Sequence, residues 1–144
     1  MNALNKVSLA RLMTAHPLLQ KLFHEVVKEA PILIMQSQRG RHDQEKAFAQ
    51  HHSKVHFGQS AHNWSPAIAL DVAPLPLDWS NSKAFLALGR DVVMPLAKSL
   101  DIPIRWGADW NMNGNYSDQS FVDMPHYELN PWRDFAKHCK PYGG

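Results

Sequence analysis

Two short segments carry histidine and carboxylate side chains in an arrangement that could hold a metal ion. In one, His62 leads into an apolar, strand-like run that carries Asp71. In the other, Asp123 stands three residues before His126, and Glu128 follows two residues later. Zinc-dependent hydrolysis needs three protein ligands, a fourth position for water and a carboxylate that accepts a proton from that water. Together the two segments offer side chains for all of these tasks.

The composition restricts the ligands from which such a site can be built. The chain of 144 residues contains nine histidines and a single cysteine, Cys139. One cysteine excludes a disulfide framework, a cysteine-rich zinc site and a CxxC redox pair. Any bound metal must therefore be held by histidine and carboxylate side chains.

The rest of the composition is typical of one globular domain. Hydrophobic residues make up 44% and charged residues 19% of the chain, which excludes collagen, a coiled coil and extensive disorder. The net charge of +2 is spread along the sequence, so no nucleic-acid partner is expected. The chain has no apolar run near the roughly 18 residues of a membrane span, and its start does not resemble a signal peptide. We expect a monomer that is made in the cytoplasm, with no stable membrane insertion.

Hydrophobic periodicity predicts helices interleaved with short strands. Amphipathic helices are expected after Pro17 and from about Ser80, the second of them kinked at Pro95. Shorter helices are predicted over 43–50 and 131–136, strands over 32–35, 69–73, 102–106 and 126–129, and loops over 51–63 and 107–119. Because regular βαβ spacing is missing, we predict an α+β fold, a single domain over residues 1–144 with a small, largely antiparallel sheet packed against helices.

The order of these motifs resembles the peptidase M15 family of zinc peptidases. That family includes D-alanyl-D-alanine dipeptidases and carboxypeptidases, and the resemblance is greatest to its phage-endolysin-like L-alanyl-D-glutamate peptidases. It is carried by an SxHxxGxAxD element at 60–71, a GGxDW-like element at 106–110, DxPHxE at 123–128, Gln38-Arg39 with Gln44, and LxxxHPxL at 12–19. The resemblance covers nearly the whole chain.

The resemblance implies a role for each motif residue. His62, Asp71 and His126 would bind Zn²⁺, and Asp123 would be the general base that deprotonates the water at the metal. Arg39 would stabilise the negative oxygen that develops on the scissile carbonyl. The implied fold is the one that carries the zinc site of the D-alanyl-D-alanine peptidases and hedgehog domains. Residues expected to contact substrate are Ser60, Gln44, Trp64, Asp109, Trp110 and Glu128.

The sequence departs from the family pattern at two places. The family's aspartate follows its histidine by seven residues and a glycine lies between them, whereas Asp71 follows His62 by nine and that glycine is missing. We expect a two-residue insertion in the turn at 63–66, which leaves both ligands in place. Ala108 replaces a glycine of the later motif, and this restricts the backbone if the position needs a positive φ.

Several residues allow more than one interpretation. Glu128 competes with Asp123 for the role of base, although its place two residues after His126 on a strand also suits a partner that holds a ligand or a substrate group. Trp64 and Trp110 are candidates for a substrate groove because they lie in polar loops beside the motifs. Trp106 and Trp132 could line such a groove as well, but they are expected to fill the core. His51, His52 and His56 are expected at the surface or in local hydrogen bonds.

The function implied is hydrolysis of an amide bond in peptidoglycan stem peptides. The expected bond is that between L-alanine and D-glutamate, cleaved by an endolysin-like enzyme that reaches the wall after the membrane is permeabilised. One alternative is a D-alanyl-D-alanine carboxypeptidase or dipeptidase, since the same metal site serves either bond. The other is a zinc-binding module of the same fold that has lost catalysis.

Overall fold

A four-stranded antiparallel sheet forms the centre of the protein in the computed structural model, which describes residues 2–117 and 122–144. In chain order the strands are β1 (Ile32–Gln36), β2 (Trp64–Ser65), β3 (Ala69–Pro74), β4 (Ile104–Trp106), β5 (His126–Leu129) and β6 (Lys140–Pro141). The central sheet has the order β1-β3-β5-β4, and β2 pairs separately with β6. The predicted α+β class with a small antiparallel sheet is confirmed.

Helices pack against the sheet and against one another. They are α1 (Lys6–Leu12), α2 (Pro17–Glu29), α3 (Arg41–Ala49), α4 (Ser82–Leu88), α5 (Met94–Ser99) and α6 (Trp132–Ala136), with a short 3-10 helix at Ala61–Asn63. Helix α1 packs on β1, and α4 packs on β3. None of the described helices is long and apolar enough to cross a membrane.

Helix α2 shows how local sequence sets these elements. The imidazole of His16 caps its start by accepting a hydrogen bond from the Leu18 amide at 3.1 Å, and Pro17 fits the first turn because no partner is needed for its missing N–H. Pro31 follows its end, as predicted. The side chains on its buried face are Leu19, Leu22, Phe23, Val26 and Val27.

The other predicted elements are found with shifted ends. Helix α3 begins at Arg41 rather than near Asp43, with Gly40 as its N-cap. The predicted loop at 51–63 contains the 3-10 helix at its end. Residues 107–117 form turns and loop, as expected, whereas 118 and 119 lie outside the described residues.

The helical segment from Ser82 to Ser99 is interrupted, although not at the predicted residue. A π-helical turn at Gly89–Val93 separates α4 from α5, and Pro95 falls just after it in the first turn of α5. Because proline has no N–H for the ordinary helical bond, a changed hydrogen-bond register just before it is physically reasonable.

Helix α1 was not predicted because its signal is weak. Only Ser8 and Leu12 of its seven residues are buried, so the apolar periodicity is short. Asn5 caps the helix through the Ser8 amide at 2.7 Å, and the Ser8 hydroxyl accepts the Ile34 amide of β1 at 2.9 Å. This buried hydroxyl joins α1 to the sheet.

The strand register gathers the polar motif residues on one face of the sheet. Asp71 of β3 lies opposite His126 of β5, and Arg105 of β4 lies opposite Glu128. Because side chains alternate along a strand, Tyr127 points the other way, into the core, where it stacks on Trp106 with ring centroids 5.9 Å apart. The same three strands therefore build the core on one face and a polar cluster on the other.

The close approach of Gly89 to Trp106 gives a test of the fold. A Cβ at Gly89 would overlap the buried Trp106 indole. Helix propensity alone would favour Gly89→Ala by about 1 kcal/mol, but the overlap should reverse the sign and lower the free energy of unfolding by about 1–3 kcal/mol. Urea unfolding measures this difference.

Gly143→Ala is the matched control, since a Cβ there meets nothing within 4 Å. A Gly89→Ala protein as stable as the control would contradict the packing described.

Candidate metal centre and its cleft

Two buried imidazoles meet a single carboxylate at the centre of the polar cluster. His62 Nε2 lies 3.1 Å and His126 Nδ1 lies 3.2 Å from Asp71 Oδ1. One ligand atom from each of the three residues falls within 4.8 Å of the others. The structure thus brings together the three residues predicted to bind metal.

Each imidazole has its other nitrogen fixed by an outer acceptor. His62 Nδ1 lies 2.7 Å from the Ser37 carbonyl oxygen, and His126 Nε2 lies 2.8 Å from Glu128 Oε1. When a ring is neutral, its outer contact favours a proton on the outer nitrogen, which leaves the lone pair on the nitrogen facing Asp71. Metal-binding histidines are commonly oriented in this way.

The donor set fits a divalent metal such as zinc. Two imidazole nitrogens and one carboxylate oxygen are ligands that zinc prefers, and they leave a fourth position open. With bonds of about 2.0–2.1 Å, tetrahedral ligands lie about 3.3 Å apart. The His–Asp distances of 3.1 and 3.2 Å are close to that spacing.

Without a metal, mutual charge holds the cluster together. Burial tends to raise the pKa of Asp71, but His62 and His126 hold that pKa well below its ordinary value. Burial also tends to lower the pKa of His126, yet hydrogen bonds to Asp71 and Glu128 raise it to about 10. With this pKa the metal-free His126 ring is an imidazolium at neutral pH, with one nitrogen donating to Asp71 and the other to Glu128.

Arg39 reaches the same carboxylate from the other side. Its guanidinium lies 3.7 Å from Asp71 Oδ2 and donates to the side-chain oxygens of Gln36, at 2.9 and 3.1 Å, and Gln44, at 3.2 Å. The Asn63 amide also donates to Gln44, at 3.2 Å, and to the Arg39 carbonyl, at 3.0 Å. These side-chain amides hold Arg39 at the edge of the candidate metal site.

Asp123 lines the cleft beside the three candidate ligands. Burial raises its pKa above the usual range, and the nearby Asp71 adds to the rise, although His126, His62 and Arg39 oppose it. Within the described ranges no side chain or amide donates a hydrogen bond to its carboxylate. A raised pKa and a carboxylate that no protein donor occupies are the properties of a group that accepts and returns a proton.

Both oxygens of Glu128 are already engaged, which separates it from the role of base. Oε1 contacts His126, and Oε2 accepts two hydrogen bonds from Arg105, at 2.7 and 3.2 Å. Burial would raise the pKa of Glu128, but His126 and Arg105 lower it below its ordinary value. The arrangement matches the alternative in which Glu128 holds a ligand.

The cluster lies in a cleft of about 480 Å³. Trp110 covers one side, with its ring 5.4 Å from that of His126 and the Arg105 guanidinium 5.3 Å from its centroid. The charged residues that line the cleft are Arg39, Lys54, Arg105 and Arg133, with Asp71, Asp123 and Glu128. A divalent cation would make this surface strongly positive, which favours an acidic substrate.

Some of the residues predicted to contact substrate line the cleft and others do not. Their contacts with substrate remain predictions. Ser60 and Trp110 line the cleft, and the Ser60 hydroxyl also caps the turn of His62 by accepting its amide at 3.2 Å. Gln44 is fully buried behind Arg39. Trp64 lines a neighbouring pocket, and the Asp109 carboxylate accepts the Asn113 and Gly114 amides at 3.2 and 2.8 Å, within its own loop.

The two departures from the family pattern are accommodated. The longer connection after His62 contains strand β2, whose pairing with β6 anchors it, and His62 still reaches Asp71. Ala108 is buried and is not among the residues with positive φ, so the lost glycine is not needed for its backbone.

Sequence reasoning missed the groups that orient the ligands. Arg105 has no motif signal because its pairing with Glu128 depends on the β4–β5 register. The Ser37 carbonyl is a backbone group and leaves no trace in residue type. Asn63 lies inside the 60–71 element and Gln36 lies two residues before Gln38, and this proximity to motif residues is a signal that could have marked them.

Comparison with known proteins gives consistent results. The family model described as phage L-alanyl-D-glutamate peptidase matches residues 2–130. The L-alanyl-D-glutamate peptidase of Escherichia phage T5 is 37% identical over 67 residues, covering 42% of this chain and 48% of that protein, so the chain spans about half of the curated relative. The crystal structure of the Serratia marcescens L-Ala D-Glu endopeptidase ChiX has the same fold, with a TM-score of 0.72, 20% identity, and 94% of this chain and 95% of that chain covered.

Removing one imidazole should remove the metal. We expect one Zn²⁺ per chain in the unaltered protein and none bound tightly in His126→Ala, measured by equilibrium dialysis with metal analysis. Zinc at 100 times its Kd should stabilise the unaltered protein by about 2.7 kcal/mol and leave the variant unchanged. His24→Ala, on an exposed position of α2, is the control. Unchanged stoichiometry in His126→Ala would refute the ligand assignment.

Metal binding should release a proton from His126. Its pKa of about 10 means that the metal-free ring carries two protons at pH 7, and one must leave before Nδ1 can bind. Zinc affinity should therefore fall about tenfold for each unit of decreasing pH between about 9 and 7. Calorimetry in buffers of different ionisation enthalpy counts the protons, and about one per zinc is expected at pH 7.

Glu128→Gln removes one of the carboxylates that raise this pKa, so it should release fewer protons at pH 8. Zinc binding without proton release at pH 7 in the unaltered protein would contradict the protonated His126.

Proposed function

Since the chain belongs to the phage L-alanyl-D-glutamate peptidase family, we propose that it is a zinc-dependent peptidase that hydrolyses the L-alanyl–D-glutamate bond of peptidoglycan stem peptides. The main support is the convergence of His62, Asp71 and His126 with an outer acceptor on each imidazole. Zinc held by these residues would supply a Lewis acid that polarises the scissile carbonyl and makes a water molecule more acidic.

Asp123 is the residue that moves the proton. Its carboxylate takes a proton from the attacking water and returns it to the leaving amine of D-glutamate, so the carboxylate is regenerated in each turnover. Its raised pKa supports both halves of this cycle, because a very acidic carboxyl group is a poor base. Glu128 is excluded from this role by its contacts with His126 and Arg105.

Arg39 stabilises the negative charge that develops on the carbonyl oxygen. The amides of Gln36 and Gln44 hold its guanidinium in advance, so little reorganisation is needed as the charge appears. Arg39 also lies close to Asp71 Oδ2, the carboxylate oxygen that the imidazoles do not contact. The guanidinium therefore offsets the negative charge on that side of Asp71.

The charge of the cleft supports an acidic peptide as substrate. Arg105, Arg133 and Lys54 line the cleft, and a D-glutamyl residue carries a carboxylate close to its acylated nitrogen. The same reaction on a cell wall would make the protein a phage endolysin. A zinc-binding module without catalysis has no need of Asp123 and Arg39 at the positions they occupy.

Digestion of purified peptidoglycan tests this function. Mass spectrometry of the products should find new amino-terminal D-glutamate, and Asp123→Asn should lower the rate by about 10²–10⁴-fold while it still binds zinc. Asp134→Asn is a matched control, because that carboxylate is exposed and forms an ion pair with the exposed Lys137.

Each other outcome contradicts the proposal in a specific way. Released D-alanine would indicate a carboxypeptidase or dipeptidase of the same metal site. Intact peptidoglycan with one zinc bound per chain would indicate a binding module, and full activity in Asp123→Asn would refute the assigned base.

A further inference from the structure

Gln44 is a buried, uncharged side chain that lies between Arg39 and the wall of the cleft. Its motif context predicts a contact with substrate. In the structure none of its surface is exposed to solvent, and it is not one of the residues that line the cleft. Its effect on the reaction must therefore be sought in the groups that it contacts.

All four hydrogen-bonding positions of the Gln44 amide are occupied by the protein. Oε1 accepts from Arg39 Nη1 and from Asn63 Nδ2, both at 3.2 Å. Nε2 donates to Ser53 Oγ at 2.9 Å and to the Val55 carbonyl at 2.8 Å. Because an amide has two donor hydrogens and two acceptor lone pairs, no position remains for a group of the substrate.

These contacts join Arg39 to the wall of the cleft. Ser53 and Val55 line the cleft, so the amide that holds the guanidinium also carries part of that wall. The orientation of the amide is fixed as well. Turned around, it would point its N–H groups at the Arg39 guanidinium and its oxygen at the Val55 carbonyl, and both arrangements are unfavourable in a buried site.

The acceptors that hold Arg39 are mostly neutral. Gln36 and Gln44 contact its guanidinium through amide oxygens, and in the part of the chain that the structure describes its ion-pair partner is Asp71, at 3.7 Å. A carboxylate at position 44 would hold the guanidinium more tightly, but it would also offset the positive charge. An amide orients the group and leaves its charge available to a developing oxyanion.

We infer that Gln44 is a positioning residue for Arg39 and does not contact substrate. Its neutral amide directs the guanidinium toward the reacting carbonyl without offsetting the positive charge. This inference rests on the proposed function, in which Arg39 stabilises the oxyanion. It replaces the substrate contact predicted for Gln44 with a role that is exerted through Arg39.

The kinetics of Gln44→Met test the inference. Methionine has a similar length but no acceptor for Arg39. On a soluble N-acetylated stem peptide, zinc-loaded Gln44→Met should have a kcat about tenfold lower, less than the roughly 10²–10³-fold loss of a whole oxyanion donor. KM should stay within about twofold, whereas loss of a substrate contact would raise it.

A double-mutant cycle shows whether the effect passes through Arg39. In an Arg39→Ala background, Gln44→Met should lower kcat by less than about twofold further, because the group that it positions is already absent. Gln20→Met is the matched control: it loses a similar bond, to the Ala15 carbonyl at 2.9 Å, and Gln20 does not line the cleft. Losses that multiply in the double variant, or a raised KM with unchanged kcat, would overturn the inference.

Gln44→Glu separates the position of Arg39 from its charge. The carboxylate still accepts from Arg39, so the guanidinium stays in place, but its charge is offset and kcat should again fall about tenfold. This variant also decides the matter if Gln44→Met does not fold. A kcat equal to that of the unaltered protein would overturn the inference.

A measurement without substrate separates this inference from the proposed function. In protein labelled with ¹⁵N-arginine, NMR follows the rotation of each of the six guanidinium groups, and Arg39 is identified by its absence in Arg39→Ala. Rotation should be about tenfold faster in Gln44→Met than in the unaltered protein or Gln20→Met, the factor expected for one charged hydrogen bond. If the stem peptide is not cleaved, the proposed function fails and this rotation still decides the role of Gln44. Equal rotation in all three proteins would overturn the inference.

Zinc affinity excludes an indirect effect through the metal ligands. Asn63, which follows His62, keeps its bonds to the Arg39 carbonyl and to the Gly58 and Ser60 amides when Gln44 is replaced. The zinc affinity of Gln44→Met should therefore stay within about threefold, below the roughly tenfold or greater loss that follows removal of a group orienting a ligand. A loss of tenfold or more would show that Gln44 acts through His62 and would contradict the assignment to Arg39.

Discussion

The Asp71 carboxylate, shared between two buried imidazoles, is the interaction on which the rest of the site depends. Burying an anion is unfavourable unless positive charge lies beside it, and the imidazolium of His126 and the guanidinium of Arg39 supply that charge. A divalent cation would fill the same electrostatic need and displace a proton from His126. The contacts of His62 with the Ser37 carbonyl and of His126 with Glu128 serve this arrangement too. A ring that binds metal through one nitrogen needs an acceptor at the other.

The sheet supplies the precision that this arrangement needs. Antiparallel pairing of β3 with β5 sets Asp71 beside His126, and pairing of β4 with β5 sets Arg105 beside Glu128. The register of β5 therefore positions two candidate ligands and the ion pair that supports one of them. Gly107 joins the segment that carries Asp123 to the same strand, since its amide donates to the His126 carbonyl and its own carbonyl accepts the Asp123 amide, both at 2.8 Å. The candidate base is thereby held to a ligand strand by backbone bonds.

The sequence was sufficient to predict the elements with long apolar patterns and the ligands with motif context. Helix α2, the strands of the central sheet and the residues His62, Asp71 and His126 were predicted, and the structure brings those three together. Arg105 and the Ser37 carbonyl were not, because strand register and backbone acceptors are properties of the folded chain. Strands β2 and β6 have two residues each, which is too few for a periodic pattern. Trp132 was predicted in the core, and it is buried but also lines a cavity.

The central claim is that two imidazoles and one carboxylate hold the metal, and X-ray absorption at the zinc K-edge tests it most directly. The zinc-loaded protein should show light-atom ligands at about 2.0–2.1 Å with the outer-shell scattering of two imidazole rings. In His126→Ala this signal should be lost, because that variant is expected to bind no zinc tightly. A spectrum with oxygen ligands alone, or with sulfur from Cys139, would contradict the account.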